Sequence, residues 1–297
     1  MIGAPTSLGA FAPGQERAPQ ALRDAGLVEM LGPDVADLGD LPVRRWRPDR
    51  EQRHAQNAGG VAEVAGEVAD RVEAALRERR TALVLGGDCT VEVGVVAGAR
   101  RAGLERVGLL YFDMHPDLNT PETVVTGTLD WMGPGHMLAL PGTVDAVARI
   151  GPRVPLLAPA DLVLFAYAPD QTRPGEQRAI EEHGLEAIPL PDVAADPRGA
   201  AERALSLVRD RFDRYLLHFD VDVVDFVDLP LSENTGHNIG LPFAAAAAAL
   251  ETLTADPRLA ALTVTEHNPA HGAEDGSTTA ALAGALAAAV RSYRAAA

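Results

Sequence analysis

Two short stretches hold side chains whose types and spacing could do chemistry. In Asp113-Met114-His115-Pro116-Asp117 a carboxylate, an imidazole and a carboxylate stand at alternate positions, and in Asp220-Val221-Asp222-Val223-Val224-Asp225 three carboxylates occupy six positions. Taken singly, Asp113 and Asp117 read as well as turn formers and helix caps, with His115 a hydrogen-bonded bystander. Taken together, like charges at this density repel unless a cation or buried hydrogen bonds compensate them. Hard oxygen donors with one imidazole suit Mn2+ or a similar divalent ion rather than a structural zinc, which favours cysteine and histidine. Shared carboxylates also suit two ions about 3.5 to 4 Å apart, the spacing at which a common water is activated as a nucleophile.

The elements that must position these groups are legible as apolar runs. Val107–Phe112 and residues 215–219 are short, nearly unbroken apolar segments that lead straight into the two acidic stretches. In open α/β sheets, ligands gather just beyond the carboxyl ends of the strands, where Asp113, His115 and Asp117 fall. Ala82–Leu85 runs into Gly86-Gly87-Asp88-Cys89, and 262–265 runs into Glu266-His267-Asn268-Pro269. With Ile2 and the segments 35–41, 162–165 and 187–190, these predict about eight strands. They alternate with helical patterns at 52–80, behind Cys89, at 242–253 and at 278–293, which implies a parallel sheet covered by helices on both faces, a three-layer α/β fold. The loop 117–131 is too long for a bare connection and is expected to be functional. No internal repeat or linker divides residues 1–297, so one domain is expected.

Composition narrows the classes of function. With 42 acidic against 26 basic residues, the net charge is -16, so a phosphate backbone or an anionic membrane would be repelled. Nucleic-acid and membrane partners are therefore not expected. Cys89 is the sole cysteine and cannot form an intrachain disulfide, and Met1-Ile2-Gly3 lacks the basic and apolar regions of a signal peptide. The longest apolar runs, at 244–250 and 280–290, fall short of the roughly 20 residues of a membrane span. These features point to a cytoplasmic protein. No strand is followed by the G-x-G-x-x-G spacing of a dinucleotide binder.

Asp113-x-His115-x-Asp117, Asp220-x-Asp222-x-x-Asp225, Gly86-Gly87-Asp88 and Glu266-His267-Asn268-Pro269, in that register, resemble the ureohydrolase family of arginases and agmatinases. Ile2-Gly3-Ala4-Pro5-Thr6-Ser7 and Ala18-Pro19-Gln20-Ala21-Leu22-Arg23 are similar to the arginase branch in particular, although the first strand implied by it is short here. The resemblance implies two Mn2+ ions, with Asp113 and Asp220 bridging them, Asp117 on one and His115 and Asp222 on the other. It makes Glu266 the partner of the substrate's guanidinium, Asn119 and Thr126 the holders of its α-carboxylate, and Asp88 and Asp225 supports rather than ligands. Trimers or hexamers of identical chains are common in the family. The reaction implied is hydrolysis of the guanidino group of a small arginine-like amino acid, releasing urea or a urea derivative.

Three departures bear on that chemistry. Cys89 stands where the family has a metal-binding histidine, and reads either as a thiolate ligand or as small core filler. Asp130 stands where arginases carry a histidine proposed as proton shuttle, and reads as an acid raised by neighbouring anions or as a reader of a different substrate group. Phe165-Ala166-Tyr167-Ala168-Pro169-Asp170 replaces the run that meets the α-amino group, with Asp170 and Glu176 as candidate substitutes. An N-hydroxylated arginine is accordingly one candidate substrate. The alternatives are agmatine or a guanidino acid, and a non-catalytic relative with a degraded metal site.

Overall fold

The computed structural model describes residues 1–297. Seven strands form one all-parallel sheet in the order β1-β2-β7-β6-β3-β4-β5. They are β1 (Ile2–Gly3), β2 (Ala82–Leu85), β3 (Val107–Phe112), β4 (Leu162–Tyr167), β5 (Glu186–Pro189), β6 (Arg214–Asp220) and β7 (Leu259–Thr265). The segment 35–41, expected as a further strand, contributes only an isolated bridge between Gly3 and Asp40. Its backbone does bond to the start of the chain, Leu38 N to Met1 O and Leu41 N to Gly3 O, but β1 offers only two residues to pair with and Gly39, with φ of 73°, leaves the extended conformation.

The unbroken apolar character of the central strands follows from burial on both sides. Along β3, Leu110 and Phe112 belong to one core with the helices Pro197–Arg211, Phe243–Thr254 and Ser277–Ala296, whereas Leu109 and Tyr111 belong to a second core with the helices Ala58–Arg77 and Val91–Arg101. The period of two sends alternate residues to opposite layers. Each large side chain so buried contributes about 1.5 to 3 kcal/mol relative to exposure. Helix Ala58–Arg77 forms because Val61, Val64, Ala65, Val68 and Val72 repeat at helical spacing along its buried stripe.

Helix Val91–Arg101 lies buried between the sheet and that outer helix. The close packing requires glycine at two positions one turn apart: a Cβ on Gly94 would stand 2.5 Å from Ala65 O, and one on Gly98 2.6 Å from Ala69 O. The amino end of this helix carries Thr90 directly after Cys89, so the spacing of the two helices sets the height of Cys89 against the sheet. Gly94→Ala is expected to force the helices apart and to cost about 1 to 3 kcal/mol, as overpacking does. Chemical denaturation of the variant checks this, and an unchanged midpoint would show that the helices have room to spare.

Candidate active site

Four adjacent strands deliver the candidate residues at their carboxyl ends. Cys89 follows β2, Glu266 follows β7, Asp220 closes β6 with Asp222 just after it, and Asp113, His115 and Asp117 follow β3. The loop after β3 returns through a short helical turn, Leu129–Met132, which brings Asp130 back to the same place. A cleft of about 370 Å³ opens here, lined among others by His115, Asp117, Asn119, Asp130, Asp220, Asp222 and Glu266. A larger, mainly apolar hollow at the amino ends of β2 and β7, around Ala82, Leu259 and Tyr293, has only Asp34, Arg80 and Arg294 as charged side chains and lies away from this chemistry.

Donor atoms converge in three overlapping groups, each with its atoms within 4.8 Å of one another: Cys89, Asp113, His218 and Asp220; Asp113, His115 and Asp222; and Cys89, Asp130 and Glu266. Asp113 belongs to the first two groups and so stands between two adjacent positions. His115 Nδ1 lies 3.0 Å from Asp222 Oδ2 and 3.6 Å from Asp113 Oδ1. Cys89 Sγ donates to Asp220 Oδ2 at 2.9 Å, and Cys89 N donates to Asp130 Oδ1 at 2.6 Å. Asp117 stands apart from these groups: its backbone is left-handed, with φ of 49°, and its Oδ2 accepts from Tyr111 Oη at 2.7 Å.

The supporting carboxylates are tied to backbone. Asp88 accepts from Gly9 N at 2.9 Å and from the Thr90 amide and hydroxyl, which pins the loop that presents Cys89. Asp225 accepts from the amides of Val227, Ile239 and Gly240, and so closes the loop below Asp222. Asn119 is buried in the cleft wall, where its Oδ1 accepts from Thr123 and leaves its amide group as a donor. Thr126 is not brought to the cleft. It is exposed, and its hydroxyl is 3.0 Å from that of Thr128. Asp170 also lies outside the cleft lining, and Glu176, although within it, accepts from Leu118 N and Arg173 N.

Sequence reasoning passed over several residues that the fold brings in. His218 sits within β6 and was readable only as part of an apolar strand, yet a histidine two positions before Asp220 shares its face, and that spacing was the available signal. Phe11, Gln171, Arg173, Glu233 and Asn234 line the cleft from loops with no motif of their own, and Trp131 lines it from the helical turn that carries Asp130. Asn234 Nδ2 donates to Asp222 Oδ2 at 3.4 Å.

The electrostatics are one-sided. Burial, and then mutual repulsion, pushes the carboxyls of Asp113, Asp117, Asp130, Asp220 and Glu266 above the ordinary range. Burial also pushes up the Cys89 thiol, with Asp220 and Asp130 adding to it. Burial opposes charge on His115, but Asp222 and Asp113 outweigh it and raise its imidazole. Asp222 goes the other way: burial would raise it, and the His115 cation holds it down. Asp113 Oδ2, Asp222 Oδ1 and Glu266 Oε1 are buried and have no hydrogen-bond partner. Orphaned anionic oxygens of this kind call for cations, and the donor set of carboxylates with an imidazole fits divalent metal ions.

The arginase family model matches residues 1–291. Arginase from Bacillus caldovelox is 31% identical over 244 residues, covering 77% of each chain, and human arginase-1 is 31% identical over 231 residues, covering 76% of this chain and 71% of its own. Among solved structures, the native Bacillus caldovelox arginase superposes with a TM-score of 0.84 at 26% identity, covering 98% of this chain and 96% of its own. A Trypanosoma cruzi formiminoglutamase solved with Mn2+ shares the fold at a TM-score of 0.75 and 17% identity, covering 98% of this chain and 92% of its own.

The raised carboxyls and the raised His115 act in the same direction on the metal-free fold. The unfolded chain releases these protons at lower pH than the folded one, so the cluster's contribution to folding is lost as pH rises from the unfolded values through the raised folded values, with Asp222 and the adjoining Asp225 opposing. Ions require ionised carboxylates and neutral imidazole, so their contribution grows over the same interval. The increment in melting temperature from added Mn2+ is therefore expected to widen as pH is raised from the ordinary carboxylate range toward neutrality. A flat increment across that interval would contradict the buried acidic cluster as the ion site.

Proposed function

The chain belongs to the arginase family and is a hydrolase of amidino or guanidino groups, and on that premise we propose that its substrate is a small arginine-like amino acid, free or N-hydroxylated, cleaved to urea or a urea derivative. The observation that carries this reading is Glu266. It is buried against the cleft, its Oε2 accepts from Gln15 Nε2 at 3.3 Å, and its Oε1 has no partner. A planar guanidinium supplies the donors that this oxygen lacks, through charge-assisted hydrogen bonds.

Asp113, Asp220, Asp117 and Cys89 would hold one divalent ion and Asp113, Asp220, His115 and Asp222 a second, the latter oxygen-rich set suiting Mn2+. When bound, such ions polarise the substrate and lower the pKa of a water for attack on the guanidino carbon. The side chains do the rest. Glu266 sets the plane of the guanidinium, and the buried acidic wall selects a cation over a neutral amide. Asp130 Oδ1 is fixed by Cys89 N, which leaves Oδ2 as the place for a proton that burial and the neighbouring Asp88 favour. That proton is suited to the departing nitrogen, whose release requires one.

The far end of the substrate meets the cleft mouth. Arg173, the one arginine in the lining, lies with its guanidinium 5.0 Å from the Trp131 ring, and the free amide of Asn119 lies deeper. Both donate, which supports a carboxylate there rather than the bare carbon chain of agmatine.

Urea release from Mn2+-loaded protein, measured over arginine, N-hydroxyarginine, agmatine and guanidino acids, tests the reading. Turnover restricted to the amino acids is expected, and no release from any of them would overturn it. Glu266→Gln keeps the shape and removes the charge, so turnover should drop about 10²-fold or more with metal content unchanged; unaltered kinetics would sink the proposed role. Arg173→Ala should raise KM for the amino-acid substrate about 10- to 100-fold, the range for loss of a charge-assisted hydrogen bond, and leave any residual agmatine activity alone. Equal effects on both would remove Arg173 from carboxylate recognition.

A further inference from the structure

His218 has no part in the reading above, yet it is built as a ligand is built. It is fully buried on β6, two residues before Asp220 and on the same side of the strand. Its ring stacks on Tyr111 from the paired position on β3, with centroids 4.2 Å apart and planes within 2°, which fixes its orientation. Nδ1 lies 3.3 Å from Oε2 of Glu92, a carboxylate with no exposure whose other oxygen has no partner. With a proton held on Nδ1 by Glu92, Nε2 offers a lone pair toward Cys89 Sγ at 3.5 Å and Thr265 Oγ1 at 3.3 Å. A carboxylate behind a buried imidazole, with the far nitrogen aimed at other donors, is the arrangement that orients and strengthens metal-bound histidines.

We propose that His218 Nε2 is a metal ligand, completing with Cys89, Asp113 and Asp220 a position that takes a softer divalent ion of the zinc type. Those four donor atoms lie within 4.8 Å of one another. His218 takes here the place given above to Asp117, which lies outside this group and whose Oδ2 accepts from Tyr111 Oη; one sulfur, one imidazole and two carboxylates then make four ligands, the number zinc takes, and a thiolate is a poor match for Mn2+. The neighbouring position at Asp113, His115 and Asp222 has no sulfur and keeps its preference for a harder ion, so the two positions differ in kind. On binding, the proton that Cys89 Sγ now donates to Asp220 Oδ2 leaves for solvent, and both atoms turn to the metal. Glu92 touches no ion and acts as a positioning residue through His218. The inference rests on the metal-dependent reading of this same site and deepens it.

X-ray absorption of the full-length protein loaded with one equivalent of Zn2+ should show a sulfur scatterer at about 2.3 Å together with imidazole. Co2+ in the same position should give a near-ultraviolet thiolate charge-transfer band that Cys89→Ser abolishes. In competition titrations, His218→Gln should lower Zn2+ affinity markedly with little change in Mn2+ affinity at the other position, and Glu92→Gln should lower it about 10- to 100-fold, the effect of losing a histidine's supporting carboxylate. A zinc shell without sulfur in the unaltered protein overturns the proposal even if the variants fail to fold. Unchanged Zn2+ affinity in folded His218→Gln overturns it as well, and urea release that persists in that case leaves the hydrolase reading intact. Failure to bind any divalent ion would overturn both.

Discussion

Repulsion among buried carboxylates is the constraint on which the rest of the structure depends. Asp113, Asp117, Asp130, Asp220 and Glu266 are held out of water at the carboxyl ends of β3, β6 and β7, and burial alone disfavours their charge. No arginine reaches the floor of the cleft; the one in its lining, Arg173, is exposed and packs beside Trp131. The fold tolerates the cluster because it is surrounded by packed elements that supply stability elsewhere, chiefly the two cores on either face of the sheet.

The same constraint explains where the backbone is most tightly specified. Asp117 and Glu266 both adopt left-handed conformations that non-glycine residues rarely enter, with φ of 49° and 64°. Such conformations persist only where the surroundings over-determine them. For Asp117 the surroundings include Tyr111 Oη, and for Glu266 the amide that donates to Gly87 O at 2.8 Å. Asp88 and Asp225 hold the neighbouring loops through backbone amides, so the acidic side chains are aimed by hydrogen bonds to peptide groups and not by one another.

Much of this was legible in the chain because the chemistry sits at ends of apolar runs. Asp113, His115, Asp220, Asp222 and Glu266 follow runs that the structure shows as β3, β6 and β7, and the parallel sheet with helices on both faces follows from the alternation of elements. His218 was not legible, because a strand interior that faces a buried helix looks the same whether its histidine is filler or ligand. Only the side chain of Glu92, far away in sequence, distinguishes them. Thr126 lies outside the cleft for a different reason: position along a loop does not say which way the loop faces, and here it faces solvent. The segment 35–41 has strand-like residues but builds no extended ladder, because the strand beside it is two residues long and Gly39 leaves the extended conformation.

The order of the strands carries a consequence for biosynthesis. β6 and β7 lie between β2 and β3, so the middle of the sheet is supplied by the last third of the chain. A nascent polypeptide that has emerged only as far as β5 has β2 and β3 with nothing between them and their inner edges open to other strands. It also lacks Asp220, Asp222, His218 and Glu266, leaving Asp113 and its neighbours after β3 without the donors that face them. Closure of the sheet and assembly of the cleft thus go together, since both wait on β6 and β7.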